Sequence, residues 1–325
     1  MNWIDIKDLL KSKKKIIKNS KILCIGDIIL DHDVHGIVDR ISPEAPIPIL
    51  LFKNETYNLG GVGNVARNIA SFKANADLFF LSGKDTGTDI INLLIKKEIN
   101  INKINVPIEN FKVPIKTRYK NKFKQLIRVD KEDINFYLNK KNKEIIFKKL
   151  NNIIKKYNII ILSDYNKGFL DKELIQNIVK IANKHNVNII ADPKKIDLSA
   201  YKNINLITPN EKEITDAAQK KILNETEIVN FSQKIMKKNN IANILITRSE
   251  KGMMLVTKND SFKLKTSAKN VIDVTGAGDT VIALLALMLS IGFSTKESMI
   301  ISNYAAGLVI SKRGTEVINY NDLFR

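Results

Sequence analysis

The chain has 325 residues, 44% hydrophobic and 27% charged, the balance of a globular protein with a large core. Its formal charge of +19 comes from lysines spread through every segment, with no basic stripe carrying interleaved aromatics, which argues against nucleic acid as a main partner. One cysteine (Cys24), no apolar leader and no apolar run longer than residues 281–289 exclude an intramolecular disulfide and a membrane span, and point to the cytoplasm.

Residues 1–20 predict an amphipathic helix, with Ile4, Ile6, Leu9, Leu10, Ile16 and Ile17 on one face and the Lys-rich stretch 11–15 in water. Residues 21–27 (KILCIGD) read as the first buried strand of an α/β unit. In the segment that follows, Asp31, Asp33 and His35 share one face of an extended chain. They spread over about 13 Å, too far to converge on a zinc ion. Asp31 suits ligand hydroxyls better, since a carboxylate accepts two hydrogen bonds; a solvated strand-edge aspartate is the plainer alternative. Pro43, Pro46 and Pro48 mark edge or turn backbone, as in a lid projecting from a main sheet. Gly60 and Gly61 permit close backbone approach, and Asn64 is expected to open a helix whose Val65, Ile69 and Phe72 face inward.

A strand at 78–82 and a helix around 88–98 come next. Residues 111–130 predict two alternating strands around a Lys-Asn-Lys turn, on which Lys116, Arg118 and Arg128 face either a ligand phosphate or solvent. A helix at 142–157 leads to the apolar strand 159–162. That strand ends in Ser163-Asp164-Tyr165-Asn166-Lys167-Gly168, polar residues at the end where ligands sit in open α/β sheets. Helix 171–185 and strand 187–191 precede Asp192-Pro193-Lys194-Lys195. Strand 205–208 runs into Pro209-Asn210-Glu211-Lys212-Glu213, and strand 244–247 into Arg248-Ser249-Glu250-Lys251-Gly252. Alternating units of this kind predict an α/β fold, a central mostly parallel sheet with helices on both faces. A small β lid would come from about 31–52 and 112–130. No repeat or linker divides residues 1–325, which read as one domain with 1–20 as an N-terminal extension.

No G-x-x-x-x-G-K-[ST] loop is present, so phosphate handling falls to the turn at residues 273–279, within the stretch 270–293. There a β-branched run meets a long apolar helix through Thr275-Gly276-Ala277-Gly278, with Asp279 just inside the helix; helix 296–311 follows. The glycines allow positive φ, and the free amides of the first turn suit an anion. A carboxylate beside a bound phosphate is costly unless it takes the proton of a hydroxyl attacking the phosphorus. The same residues also make a plain glycine turn with a favourable helix start.

Residues 273–279 (DVTGAGD) resemble the C-terminal signature of the ribokinase-like (PfkB) family of sugar kinases, and the likeness extends over roughly 21–315. The blocks RISPEAP and LSDYNKG resemble the branch that phosphorylates D-glycero-β-D-manno-heptose 7-phosphate, the kinase half of bifunctional heptose kinase/adenylyltransferases. DHDVHG departs from it where those relatives usually carry an aromatic. No FD-x-x-H-x-G-H motif follows, so no nucleotidyltransferase domain is expected here and adenylyl transfer would belong to another protein.

The resemblance implies ATP and Mg²⁺ as cofactors. It implies Asp279 as catalytic base and the amides of Gly276, Ala277 and Gly278 as the anion hole. Asp31, Gly60, Gly61 and Asn64 would hold the sugar, with Asp164 beside them. Arg40, Lys116, Arg118, Arg128 and Lys167 are the candidates for a substrate phosphate. Asn210 and Glu213 would organise magnesium and the nucleotide phosphates through water, with no directly ligated metal. Thr247, Arg248, Ser249, Gly252 and Asn303 would border the adenine. The partner is a small sugar phosphate, without nucleic acid or membrane, and a homodimer through the lid is in keeping with the family. The alternatives are a relative acting on a hexose phosphate, fructose or a nucleoside, and a noncatalytic basic binder, which would have no use for Asp279.

Overall fold

The computed structural model describes residues 3–122, 124–219, 224–268, 270–312 and 314–324. Met1 and Asn2 of the expected first helix lie outside them. Two short helices, α1 (Trp3–Ser12) and α2 (Lys14–Asn19), stand where the sequence predicts one. The break falls at Lys13, whose backbone leaves the helical region and whose ammonium reaches the Ile291 carbonyl at 2.7 Å. Past the break the register rotates, so Ile17 is buried while Ile16 is half exposed.

The central strand β1 (Lys21–Gly26) leads into a long antiparallel hairpin, β2 (Ile28–Ile41) and β3 (Pro48–Gly61), which returns to helix α3 (Val62–Ala70). Next come β4 (Asn75–Ser82), α4 (Thr86–Lys96) and β5 (Ile101–Pro107), then a second hairpin, β6 (Ile115–Asn121) and β7 (Lys124–Lys131). Strand–helix alternation continues through α5 (Lys140–Ile153), β8 (Ile159–Ser163), α6 (Lys172–Lys184), β9 (Asn188–Asp192) and β10 (Leu206–Ile207). Helices α7 (Glu211–Ala218) and α8 (Glu225–Asn239) precede β11 (Asn243–Thr247). The hairpin β12 (Met253–Val256) and β13 (Ser261–Leu264) and the helices α9 (Ala277–Ser290) and α10 (Thr295–Val309) complete the order.

Among the described residues the main sheet runs β13-β12-β11-β10-β9-β8-β1-β4-β5, with helices on both faces. It is parallel from β11 to β5 and antiparallel at β12 and β13. Strands covered on both faces read as continuous apolar runs, as in β8, where every residue is buried. The β12–β13 hairpin is absent from the sequence reading, because four apolar residues after a turn carry no periodicity. Gly252 makes it possible: its φ is 84°, and a Cβ there would lie 2.1 Å from the Leu264 carbonyl oxygen.

The second sheet, β3-β2-β6-β7, is the lid. Its turn holds Pro43 and Pro46, and Pro48 opens β3, a position that needs no ladder donor. At its root Ile28 pairs with Gly61, and Val62 donates to the Asp27 carbonyl, so the lid grows directly out of the end of β1. Helix α3 therefore starts after Gly61, which caps it at φ 57°, and not at Asn64 as the sequence suggests. Asn64 is left in the first turn, buried, with its amide free to reach across to α9.

Candidate active site

Residues from five strand ends and three helix starts, those of α3, α7 and α9, meet above the carboxyl edge of the main sheet. Helix α9 begins at Gly276, which caps it in the left-handed region at φ 80°. A Cβ on Gly276 would stand 2.9 Å from the Asn64 side-chain nitrogen, whereas one on Gly278 would meet nothing within 4 Å. The space beside Gly278 at the helix start is therefore open to a ligand, and a helix N-terminus suits an anion, although the Ala277 amide donates within the turn to the Val274 carbonyl at 3.3 Å.

Asp279 is 6% exposed. Asn64 Nδ2 donates to its Oδ2 at 2.7 Å, and the Tyr165 hydroxyl donates to its Oδ1 at 2.6 Å. Burial pushes the Asp279 carboxyl up to about 6; the Tyr165 and Asn64 donors pull it back, Asp31 raises it and Lys116 lowers it. Asn68 braces the junction by accepting from the Thr280 hydroxyl at 2.9 Å and donating to the Asn64 carbonyl.

Tyr165 reaches this point because Asp27 holds its loop: Asp27 Oδ2 accepts the amides of Tyr165 at 2.8 Å and Lys167 at 3.2 Å. Asp164 is buried and committed within the protein, accepting from the Asn166 amide at 2.7 Å, from the Tyr201 hydroxyl and from Lys195 at 3.3 Å.

On the lid side a cavity of about 340 Å³ opens between β2, β6 and the 272–275 segment. Asp31, Asp33 and His35 line it from one strand face, as their spacing requires. Arg118 binds Asp31 at 2.7 Å and Lys120 binds Asp33 at 2.7 Å, so both carboxylates are charge-paired. Among the described residues no group of three or more His, Cys, Asp and Glu is placed to hold a metal. Gly60 lies beneath Asp31, where a Cβ would come within 2.4 Å of Oδ2.

The five candidate phosphate cations separate. Arg40 is exposed at the outer end of β2, nine residues past Asp31 and so roughly 30 Å along the strand. Within one chain it does not reach the cavity; a fourteen-residue strand carries it away. Arg118 is paired as described. Lys116, Arg128 and Lys167 lie near one another above Tyr165: burial lowers the Lys116 pKa, the charges of Lys167 and Arg128 add to that, and Asp31 and Asp130 oppose it. The Lys116 ammonium stands 5.5 Å from the Tyr165 ring centroid. Arg128 pairs with Asp130 at 2.9 Å, and Lys167 with Glu132 at 2.6 Å.

Across α9 a cavity of about 160 Å³ is lined by Tyr165, Asp192, Lys194, Asn210, Glu213 and Gly278, among others. Asn210 and Glu213 are there because they form the capping box of α7, each side chain accepting the other's backbone amide at 2.8 and 2.9 Å. Glu213 also pairs with Lys194 at 2.8 Å. Burial, then Glu213 and Asp279, push the Asp192 carboxyl well above the usual range. An adjoining cavity of about 560 Å³ is lined by Thr247, Arg248 and Ser249. Arg248 is nonetheless fixed, pairing with Glu211 at 2.8 Å and Glu225 at 2.6 Å. Asn303 lines none of these cavities; it ties α10 to the segment after β13 through the Lys265 carbonyl and the Ser267 hydroxyl. Sequence reasoning missed Asp27, Tyr165, Asp192 and Lys120 as site residues; their only signal was position at a strand end or period-two spacing.

Comparison with known proteins gives a consistent picture. The pfkB family carbohydrate kinase pattern matches residues 19–320. Over 309 residues the chain is 40% identical to the bifunctional protein HldE of Haemophilus influenzae, covering 94% of this chain and 63% of that protein. It is 38% identical over 308 residues to the bifunctional protein HldE of Aliarcobacter butzleri, covering 94% and 64%. The chain thus spans under two thirds of the length of these relatives. Phosphofructokinase-2 from Escherichia coli shares the fold at a TM-score of 0.79 and 20% identity, over 94% of this chain and 97% of that one. Arabidopsis thaliana ribokinase, complexed with ribose and ATP, does so at 0.70 and 18%, over the same shares.

Proposed function

The chain belongs to the pfkB family of carbohydrate kinases, ATP-dependent enzymes, and we propose that it moves the γ-phosphate of ATP to the anomeric hydroxyl of D-glycero-β-D-manno-heptose 7-phosphate. The product would be the 1,7-bisphosphate, an early step towards the ADP-heptose of lipopolysaccharide core. The observation that carries the reading is a buried, doubly held Asp279 in the first turn of α9, with a lid cavity lined by paired charges to one side and a second cavity against Gly278. The RISPEAP and SDYNKG blocks and the identity to bifunctional relatives support the heptose assignment.

In this mechanism Asp279 takes the proton of the attacking hydroxyl, and the amides of Gly276, Ala277 and Gly278 stabilise charge on the transferring group. Asp31, Gly60, Gly61 and Asn64 position the sugar; the buried Asn64 Oδ1 has no hydrogen-bond partner among the described residues and would accept from a sugar hydroxyl. Lys116, Arg128 and Lys167 hold the 7-phosphate. The donors near Asn210 fit a hydrated magnesium ion: Asp192 and Glu213 lie close enough to raise one carboxyl's pKa, and magnesium keeps most of its waters. A magnesium ion held there through water by Asn210, Glu213 and Asp192 would supply charge neutralisation for the phosphates. Thr247, Ser249 and Gly252 border the base of the nucleotide.

The lid carries a second reading, a homodimer. Ile37, Ile41, Ile47, Leu51 and Phe52 are all exposed on its outer arm, apolar surface that a second copy would cover. A cytoplasmic setting follows from an intracellular sugar phosphate and ATP.

The test is ATP turnover against a panel of phosphorylated sugars. Heptose 7-phosphate should exceed the unphosphorylated heptose in kcat/KM by a hundredfold or more, since charge-assisted contacts contribute about 1.5–3 kcal/mol each. Lys116→Met, Arg128→Ala and Lys167→Ala should erode that ratio. Equal use of both heptoses would sink the assignment and leave another sugar as substrate.

A further inference from the structure

Tyr165 is held from three sides at the site, and the assignment above gives it no role. Its hydroxyl donates to Asp279 Oδ1 at 2.6 Å, its amide donates to Asp27 Oδ2 at 2.8 Å, and the Lys116 ammonium stands 5.5 Å from its ring centroid. The loop that carries it is built around unusual backbone. Asn166 has φ 55°, stabilised by its amide's bond to Asp164, and Gly168 has φ 90°. A Cβ at Gly168 would stand 2.5 Å from the Phe136 carbonyl oxygen, so no other residue fits without movement. Asparagine visits the left-handed region more readily than other non-glycine residues, and the bond to Asp164 and the tight seat of Gly168 fix it there. Here they aim one phenol at one carboxylate 114 residues further along the chain.

We propose that Tyr165 is a positioning residue for phosphoryl transfer, clamping Asp279 together with Asn64 so that the lone pairs left for the attacking hydroxyl are fixed in direction. The inference rests on Asp279 as proton acceptor. A carboxylate offers about four acceptor sites on two oxygens. Asn64 occupies one on Oδ2 and Tyr165 one on Oδ1, which removes rotation of the carboxylate as a variable. In the step itself the sugar O–H bond breaks and its proton goes to Asp279. The sugar oxygen bonds to the γ-phosphorus, the bond from γ-phosphorus to the bridging oxygen breaks, and ADP leaves. Tyr165 keeps its own proton throughout; burial and Asp279 hold its phenol well above the ordinary value. A donor to the charged form also weakens the hold of Asp279 on a proton. The other groups facing Asp279 are Asp31 on β2, Lys116 on β6, Asp192 at the end of β9 and Asn64 on α3. All four stay in place when only the phenol oxygen is removed.

Tyr165→Phe in the full chain, assayed with ATP and heptose 7-phosphate from about pH 5 to 9, should lose about ten- to a hundredfold in kcat with little change in either KM. Its acid limb should move up by roughly half to one pH unit, because Asp279 has lost a donor. A residue that only packs would not move that limb. Tyr165→3-fluorotyrosine keeps the shape and makes a stronger donor, so its acid limb should move down; it decides the matter if the phenylalanine variant fails to fold. Unshifted limbs in the variants that fold, with wild-type kcat, would overturn the inference while an inactive Asp279→Asn left the proposed function standing. An Asp279→Asn enzyme with normal turnover would remove both.

Discussion

Buried carboxylates at this site set their own pH behaviour. Burial, the first cause, pushes Asp279 from an ordinary 3.8 up to about 6, and Asp27 likewise, with Asp164 adding to the latter. Between those values the folded chain binds the proton more tightly than the unfolded chain. Stability contributed by the protonated form is therefore present at low pH and lost as pH rises through about 6, the reverse of a salt-bridged aspartate. Asp279→Asn should be more stable than wild type at neutral pH, by about 1–3 kcal/mol, and should show a flatter decline between about pH 4 and 6. Its kcat should fall at least about a hundredfold. Urea denaturation at about pH 4.5 and 7.5 checks the first claim; a variant no more stable at the higher pH would contradict the burial argument. In wild type, kcat/KM should climb through about pH 6 as Asp279 loses its proton.

Helix α9 shows how an element imposes such a site. Gly276 turns left-handed to start the helix, which sets Asp279 in its first turn with Oδ2 on the Asn64 amide. Gly276→Ala meets both a backbone cost of about 1–2 kcal/mol and a Cβ placed 2.9 Å from the Asn64 amide. The expected result is a lower melting temperature together with a kcat loss exceeding any change in KM for ATP, measured by initial rates. Much at this scale was legible in the sequence. Apolar runs ending in polar clusters gave β1, β8, β9 and β11 to within a residue or two, and the GAG turn announced α9. What escaped depends on long-range geometry. Period-two spacing puts Asp31 and Arg40 on a strand but not the strand's length, which separates them. The start of α3 moved from Asn64 to Gly61 because a bond from Val62 to the Asp27 carbonyl fixes it. Tyr165 looked like any polar residue at a strand end, since nothing local says which helix it faces.

For the whole molecule, a net charge of +19 opposes self-association, so an apolar lid arm must supply enough contact to overcome it. Phe52→Glu should convert a dimer to a monomer in sedimentation at micromolar concentration and leave the fold intact; a wild type that is already monomeric there would remove the dimer. The fourteen-residue β2 is rooted at Ile28, directly after β1 of the main sheet, and ends at Ile41. It is a lever about 40 Å long. A tilt of about 5° at the root carries Asp31 less than about 1 Å but sweeps the tip through roughly 4 Å. Motion that the sugar scarcely registers is thus amplified at the arm. Conversely, anything that grips the tip sets the pose of Asp31 with a fine mechanical advantage.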